Sequence, residues 1–216
     1  MIDAYFIRHG MAKVNEQHGY YGGRSNASPL NEVGVHQSIV HGLDIARHGL
    51  MPDVVIASPA VRTRDTATLA LQAAGVDLNL LIEPRFQEVS QGSWEGQLRK
   101  KCMTRNMERR AVRLGDRFKA PGGESNREVR NRVLEAVHEE IEPLNIPGQT
   151  STVFVYGHAY ASKLLYAHLA GWDFTHMRSQ DIPHTSMTQL RFDDHDWLPG
   201  VFGRMAYELD LESEAS

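Results

Sequence analysis

The chain has 216 residues, of which 41% are hydrophobic and 23% are charged, and its formal net charge is −4. This composition is typical of a globular protein with a buried core, and the acidic balance argues against general binding to nucleic acids or anionic membranes. A single cysteine, Cys102, excludes an internal disulfide framework and fits a reducing compartment.

The N-terminal residues lack the basic and apolar regions of a signal peptide. No apolar run approaches the ~20 residues that span a bilayer. We therefore expect a soluble, cytoplasmic protein without a membrane partner.

The first predicted element is a buried strand at residues 4–7, which is followed directly by Arg8, His9 and Gly10. Arginine and histidine at a strand end suit the binding of an anion at the carboxyl edge of a parallel sheet, although a chance match of three residues is the alternative. The Gly-rich and Asn-rich residues 11–28 then predict a long loop, and loops of this length are usually functional.

A helix is predicted next, beginning after the N-cap Asn31 and reaching about residue 49. Its histidines, His36, His41 and His48, do not have the spacing of a two-histidine metal motif, so we interpret them as surface or boundary residues. The apolar stripe of this helix consists of Val35, Ile39, Leu43 and Ile45.

Strands and helices then alternate, with a strand at residues 54–57, a helix at 61–74 and a short strand at 79–82. Gly75 ends the helix. Such alternation indicates a parallel sheet with helices on its faces. The predicted fold class is therefore α/β, with three α/β/α layers around a mostly parallel central sheet.

Residues 85–123 interrupt this alternation with a loop and a strongly basic segment. On a helix, the arginines that recur every four residues would form one cationic stripe. The stripe is either a solvated helix face or a cap that recruits a polyanionic substrate, and the sequence leaves both open. Its members are Arg105, Arg109, Arg113 and Arg117.

The C-terminal third is predicted to contain a helix at residues 125–142 and a strongly apolar strand at 152–156. The strand is followed by His158 and by a helix that reaches about residue 170. Two further strands are predicted around a turn at 193–200, and a frayed tail follows. These C-terminal strands could leave a sheet edge for pairing with a second copy, which would make a homodimer. The two strands cover residues 188–192 and 202–209, and the tail covers 212–216.

Polar residues follow three of the predicted strands. The first strand is followed by Arg8 and His9, the second by Ser58 and then Arg62, and the strand at 152–156 by His158. In a parallel sheet these ends meet at one edge. Two arginines and two histidines there would bind a phosphate dianion, since the planar arginine fork donates two parallel hydrogen bonds.

A neutral imidazole nitrogen can also attack phosphorus and form a phosphohistidine. The surrounding cations would stabilise the charge on the transferring group. A partly buried carboxyl, whose pKa burial raises, can protonate the leaving alcohol. This residue set therefore predicts phosphoryl-transfer chemistry.

Five motifs in this order resemble the histidine phosphatase superfamily, the phosphoglycerate-mutase-like proteins, and they extend over nearly the whole chain. The motifs are Arg8-His9-Gly10, the segment 58–67, the segment 86–96, the turn 121–125 and Gly157-His158-Ala159. The resemblance implies one domain over residues 1–216, with a basic cap insertion at about 97–120.

The resemblance also implies a role for each site residue, and it implies neither a metal nor a cofactor. His9 would be the phosphorylated nucleophile, Arg8, Arg62 and His158 would complete the phosphate pocket, Glu88 would be the proton donor, and Asn15 and the backbone N–H of Ala159 would be further phosphate contacts. Glu83, Glu95 and Glu124 compete with Glu88 for the role of acid.

The predicted function is hydrolysis of small phosphomonoesters through phospho-His9. The alternative is a cofactor-dependent phosphoglycerate mutase. The segment 97–120 argues against it, because this segment is short for a mutase cap. A third reading is a non-catalytic protein that binds phosphorylated ligands. The intact set of site residues argues against it. The sequence does not identify the substrate.

Overall fold

A computed structural model describes residues 1–193 and 195–209, so the predicted tail at 212–216 lies outside the described residues. One sheet holds six strands in the order β3-β2-β4-β1-β5-β6. The strands are β1 (Ile2–Arg8), β2 (Val54–Ala57), β3 (Leu80–Ile82), β4 (Ser151–Gly157), β5 (Met187–Phe192) and β6 (Trp197–Pro199). The first four are parallel, whereas β5 runs antiparallel to β1, and β6 antiparallel to β5.

The helices cover both faces of this sheet. They are α1 (Glu32–Arg47), α2 (Val61–Ala74), α3 (Arg99–Cys102), α4 (Arg105–Leu114), α5 (Asn126–Ala136), α6 (Ala159–Leu169) and α7 (Phe174–Ser179). Alternate residues of β4 point to opposite faces, as strand geometry requires. Val153 and Val155 pack in the cluster that contains α5 and α6, whereas Phe154 and Tyr156 pack with α1 and α2. The predicted three-layer α/β fold with a mostly parallel sheet is confirmed.

None of the helices in residues 1–193 and 195–209 is long and apolar enough to cross a bilayer.

The predicted apolar stripe of α1 is wrong. Val35, Ile39 and Leu43 are 37–55% exposed, and Ile45 alone is buried. Small residues allow this helix to pack closely, since a Cβ atom at Gly42 would lie 2.2 Å from the carbonyl oxygen of Ala70 in α2. The buried face of the helix therefore includes small residues that allow close packing, and three of the four predicted stripe residues are exposed. The buried residues are Gly34, Ser38, His41, Gly42 and Ile45.

Two predictions for the C-terminal half also need correction. Residues 202–209 do not form a strand, and Ala206–Glu208 form a 3₁₀ turn instead. The last strand, β6, lies inside the turn that was predicted at 193–200. Gly203, with a φ of +62°, interrupts the extended backbone there. The helix predicted to reach residue 142 is α-helical only to Ala136, and Val137–Ile141 continues it as a π-helical turn.

The prediction that His41 is a surface or boundary residue is wrong, because its side chain is buried in the core. Its Nε2 lies 3.5 Å from the Tyr156 hydroxyl, and its Nδ1 has no hydrogen-bond partner within the described part of the chain. Burial lowers the pKa of His41 to about 4.

This burial predicts a loss of stability in acid. An unfolded histidine has a pKa of about 6.5. Below that pH the unfolded chain binds a proton at this residue, whereas His41 in the folded chain stays unprotonated. Stability is therefore lost as the pH falls from about 6.5 towards 4, and His41 alone should contribute about 2 kcal/mol of this loss at pH 5. Urea unfolding at pH 7 and pH 5 measures it.

We expect His41→Leu to lose about 2 kcal/mol less than wild type between the two pH values. His36→Leu, a change of the same kind on the exposed side of α1, should keep the wild-type pH dependence. Equal pH dependence in all three proteins would contradict the prediction.

Candidate active site

The ends of the central strands bring the two predicted histidines together. Arg8, the last residue of β1, lies opposite Gly157, the last residue of β4, so His9 and His158 leave neighbouring strands at the same level. Their ring centroids are 5.3 Å apart. Both rings are buried, with 4% of His9 and none of His158 exposed.

The hydrogen bonds of His9 fix its tautomer. Its Nδ1 lies 2.6 Å from the carbonyl oxygen of Gly10, and because a carbonyl can only accept, Nδ1 carries the proton. Nε2 is then the unprotonated nitrogen, and it accepts a hydrogen bond of 3.1 Å from Nε of Arg62. Burial, with Arg62 and His158 nearby, holds the pKa of His9 well below its usual value. The ring is therefore neutral, with a lone pair on Nε2.

His158 has the opposite tautomer. Its Nδ1 lies 3.2 Å from Nη2 of Arg62, which can only donate, so Nδ1 accepts. The proton of the neutral ring is consequently on Nε2, which donates to the Ser58 hydroxyl at 2.9 Å. Burial, followed by the charge of Arg62, lowers the pKa of His158 well below its usual value. Ser58 thus turns the accepting nitrogen of His158 towards the guanidinium.

Arg62 lies in the first turn of α2 and is only 2% exposed. Besides the two histidines, its guanidinium donates to the carbonyl oxygens of Ser25 at 2.8 Å and Arg24 at 3.0 Å. A lysine has no planar fork and could not make these four contacts at once. Arg62 therefore joins the loop after β1 to both imidazoles.

Thr66, one turn after Arg62, fixes the loop that carries His9. Its hydroxyl accepts from the N–H of Gly10 at 3.0 Å and donates to the carbonyl of Arg62 at 2.7 Å. A Cβ atom at Gly10 would lie 2.6 Å from the carbonyl oxygen of Gly34 in α1, so only glycine allows this approach. His9 and Arg62 are thus positioned by the same helix.

A third histidine, His184, belongs to the cluster and was missed by the sequence analysis. Its Nδ1 donates to the carbonyl oxygen of His9 at 2.8 Å, and its Nε2 accepts from Arg8 at 3.1 Å. Arg8 also donates to the carbonyl of Ile182 at 2.5 Å. Burial lowers the pKa of His184 to about 4, so this ring is neutral and positions Arg8.

Glu88 lies on the loop that faces this cluster. Its Oε1 accepts from the N–H of Val89 at 2.9 Å, and its Oε2 accepts from the N–H of Tyr160 at 3.2 Å, in the first turn of α6. Its charge opposes the effect of burial on the pKa values of both Arg8 and Arg62, which places the carboxylate within electrostatic range of the two guanidiniums.

The three competing carboxylates have structural partners. Glu83 accepts two side-chain hydrogen bonds from Arg85, which lower its pKa. Glu124 pairs with Arg132 at 2.9 Å. Glu95 accepts backbone N–H groups in its own loop and in the loop after β1. Glu88 is therefore the best placed of the four to exchange a proton with a bound ligand.

The two remaining predicted contacts are placed differently. The Asn15 side chain accepts from the N–H of Ala12 at 3.0 Å, within its own turn, so its recorded hydrogen bond is local rather than to the histidine cluster. Ala159 is the first residue of α6 and directly follows His158. Its N–H is one of the first-turn amides that have no partner inside a helix, and such amides favour anions. Both phosphate contacts stay predictions.

A cavity of about 250 Å³ has Glu88 and Tyr160 in its wall. The basic segment contributes Arg99, Phe118 and Lys119 to this wall. The four stripe arginines are absent from the wall and are exposed, and Arg117 lies in a separate turn beyond α4. The geometry thus favours a solvated face for the stripe. The aromatic members of the wall are Tyr21, Trp94, Phe118, Tyr160 and Phe174.

Comparison with known proteins places this geometry in a family. Residues 4–202 match the model of the Histidine phosphatase superfamily (branch 1). Phosphoserine phosphatase 1 of Hydrogenobacter thermophilus is 28% identical over 196 residues, which cover 90% of this chain and 88% of that protein. The probable phosphoglycerate mutase GpmB of Escherichia fergusonii is 26% identical over 208 residues, with coverage of 92% and 88%.

Other matches cover less of the relative or show the fold alone. The bifunctional protein Rv2228c of Mycobacterium tuberculosis is 32% identical over 160 residues, which are 74% of this chain but 42% of that protein. This chain therefore spans less than half the length of that relative. The structure of Bacillus stearothermophilus YhfR superposes with a TM-score of 0.77 at 24% identity, covering 94% of this chain and 98% of the other.

Proposed function

The chain belongs to the histidine phosphatase superfamily, whose members compared above include phosphatases and phosphoglycerate mutases, and we propose that it is a phosphomonoesterase that works through a phosphohistidine on His9. The observation that carries the proposal is the lone pair on Nε2 of His9, in contact with Arg62 and beside His158. A neutral imidazole among cations is what attack on a phosphate dianion requires.

In the first step, Nε2 of His9 attacks phosphorus and the bond to the ester oxygen breaks. The Glu88 carboxyl gives its proton to that oxygen, so the alcohol leaves neutral. The proton on Nδ1 stays hydrogen-bonded to the Gly10 carbonyl, which stabilises the charged phosphoimidazole. Arg8 and Arg62 neutralise the non-bridging oxygens, and the dianion favours a protonated His158 that donates to them.

In the second step, water attacks the phosphorus of phospho-His9 and the phosphorus–nitrogen bond breaks. The Glu88 carboxylate takes the proton of the water, which restores the acid. Inorganic phosphate leaves, and Nε2 regains its lone pair. One carboxyl therefore serves both steps.

We also propose that residues 97–120 are the cap of a single domain formed by residues 1–216. Met103, Ala111 and Phe118 from this segment line the cavity beside Glu88. A cap here would keep water from the leaving group during the first step. Small-molecule phosphorylated substrates fit a cavity of this size.

The role of Glu88 is tested by Glu88→Gln with two substrates. The kcat/KM for an alkyl phosphate should fall by roughly 10²–10⁴-fold, because its alkoxide needs a proton to leave. The kcat/KM for 4-nitrophenyl phosphate should fall far less, since nitrophenolate leaves without one. Initial rates of alcohol or nitrophenol release give both values, and kcat/KM does not include the later attack of water on phospho-His9, which is common to both substrates.

Glu95→Gln is the matched control, since its amide oxygen can still accept the backbone N–H groups that Glu95 now accepts. It should behave as wild type with both substrates. An equal loss on the two substrates in Glu88→Gln would remove Glu88 from the role of acid.

The similarity to GpmB keeps a phosphoglycerate mutase as the second candidate. A mutase uses the same pocket but returns the phosphoryl group to a second substrate. It should need priming by a bisphosphoglycerate, whereas a phosphatase should release free phosphate from a panel of phosphomonoesters without it. Isomerisation of phosphoglycerate without phosphate release would favour the mutase.

A further inference from the structure

Two arginines on the cavity wall have no carboxylate partner within residues 1–193 and 195–209. Arg99 donates from Nε to the carbonyl of Tyr20 at 3.0 Å, and its Cζ lies 5.0 Å from the Tyr21 ring centroid. Arg178 has its Cζ 5.7 Å from the Phe174 ring centroid. Stacking on aromatic rings holds a guanidinium in place and leaves its N–H groups for a ligand.

The other charged groups of the wall are already neutralised, except Glu88. Lys119 pairs with Glu128 at 2.9 Å, and Glu124 pairs with Arg132 at 2.9 Å. Both Arg99 and Arg178 oppose the effect of burial on the pKa of Tyr21, so the two positive charges lie near the same hydroxyl. The cavity therefore combines one proton donor with two uncompensated cations.

Five aromatic side chains contribute to the rest of the wall. The rings of Tyr21 and Trp94 are 5.3 Å apart, and those of Trp94 and Phe118 are 6.1 Å apart. A dry cavity of roughly 150 Å³ binds benzene, so the volume of about 250 Å³ here admits one ring with a substituent. The cavity thus suits a compact leaving group with an apolar body.

We propose that this cavity binds the leaving group of a small phosphomonoester whose compact apolar body carries a second anionic group, a carboxylate or a phosphate, held by Arg99 and Arg178. The proposal rests on the proposed phosphatase function and names the class of its substrate. The phosphoryl end lies at His9, and the second anion lies at the far end of the cavity.

Three synthetic substrates test it: phenyl phosphate, 4-carboxyphenyl phosphate and 1,4-phenylene bisphosphate. A charge-assisted hydrogen bond contributes about 1.5–3 kcal/mol, so kcat/KM for wild type should be at least about tenfold higher with the two anion-bearing esters. The two anion-bearing arms separate carboxylate from phosphate as the preferred second group. Equal kcat/KM values on all three substrates would overturn the proposal.

The variant pair Arg99→Gln and Arg178→Gln should lose at least about tenfold more kcat/KM with the anion-bearing esters than with phenyl phosphate. Arg105→Gln and Arg109→Gln, on the exposed face of α4, are the controls and should change none of the three values. An equal loss in these controls would mean general electrostatic attraction, and the proposal would fail.

Equilibrium binding separates this proposal from the proposed function. Calorimetry with benzylphosphonate and 4-carboxybenzylphosphonate measures the same preference without turnover. If wild type binds the carboxylated ligand at least about tenfold more tightly but hydrolyses no ester, the second anion site is supported and the proposed phosphatase function is wrong. Hydrolysis without any preference would retain the phosphatase and overturn the second anion site.

Discussion

His9→Ala should abolish turnover, with a fall in kcat of about 10⁴-fold or more for every phosphomonoester that wild type hydrolyses. Removing the imidazole removes the nitrogen to which the proposed function assigns the covalent intermediate, and the cations that remain around it can bind phosphate but not attack it. The fold should survive, because alanine leaves a space between groups that are held by Arg62, Thr66 and Ser58.

Rapid acid-free quenching of wild type with a ³²P-labelled ester should trap label that is stable in base and labile in acid, as a phosphorus–nitrogen bond is. His9→Ala should trap none. His36→Ala, an exposed histidine on α1, is the control and should be labelled as wild type. Label that persists in His9→Ala would place the intermediate on another residue.

Arg62→Lys should have the second-largest effect, a loss of roughly 10³-fold in kcat/KM. Lysine retains the positive charge, but it has no fork to reach His9, His158 and the two loop carbonyls together. His158 would then lose the donor that orients its Nδ1. Both substrate binding and stabilisation of the transferring phosphoryl group would suffer.

Arg64→Lys is the matched control, because Arg64 lies on the exposed side of the same helix and should tolerate the change. Steady-state kinetics gives the loss, and urea unfolding separates it from a failure to fold. If Arg62→Lys folds and retains more than about a tenth of wild-type kcat/KM, the fork is not essential and the contact with His9 has no catalytic consequence.

The meeting of Arg8, His9, Arg62 and His158 could be anticipated because parallel strands end at a common edge. His184 could not, because it precedes a strand rather than following one. Strand β5 runs antiparallel to β1, so its beginning lies where β1 ends. A sequence signal existed, namely a histidine just before a predicted strand, but using it required the direction of that strand.

The errors elsewhere have a similar cause. The apolar stripe predicted for α1 is largely exposed, whereas Gly42 makes a close approach to α2 that hydrophobic periodicity does not register. The last strand was assigned to an aromatic and apolar run at residues 202–209, whereas pairing with β5 takes place at Trp197–Pro199. Local sequence patterns indicate where helices and strands lie. Which face of a helix is buried, and which segment pairs with β5, depends on tertiary contacts.

The hydrogen bond from Arg62 to Nε2 of His9 also affects how this ring reacts with other reagents. The Nε–H of Arg62 occupies the lone pair on Nε2, so a neutral electrophile would have no free imidazole nitrogen to react with. If His9 is the nucleophile, as proposed, an incoming phosphate dianion would compete for the same guanidinium and free Nε2 for attack. His9 would then be unreactive towards nonspecific alkylating or acylating agents, and it would become reactive only when a phosphorylated ligand binds.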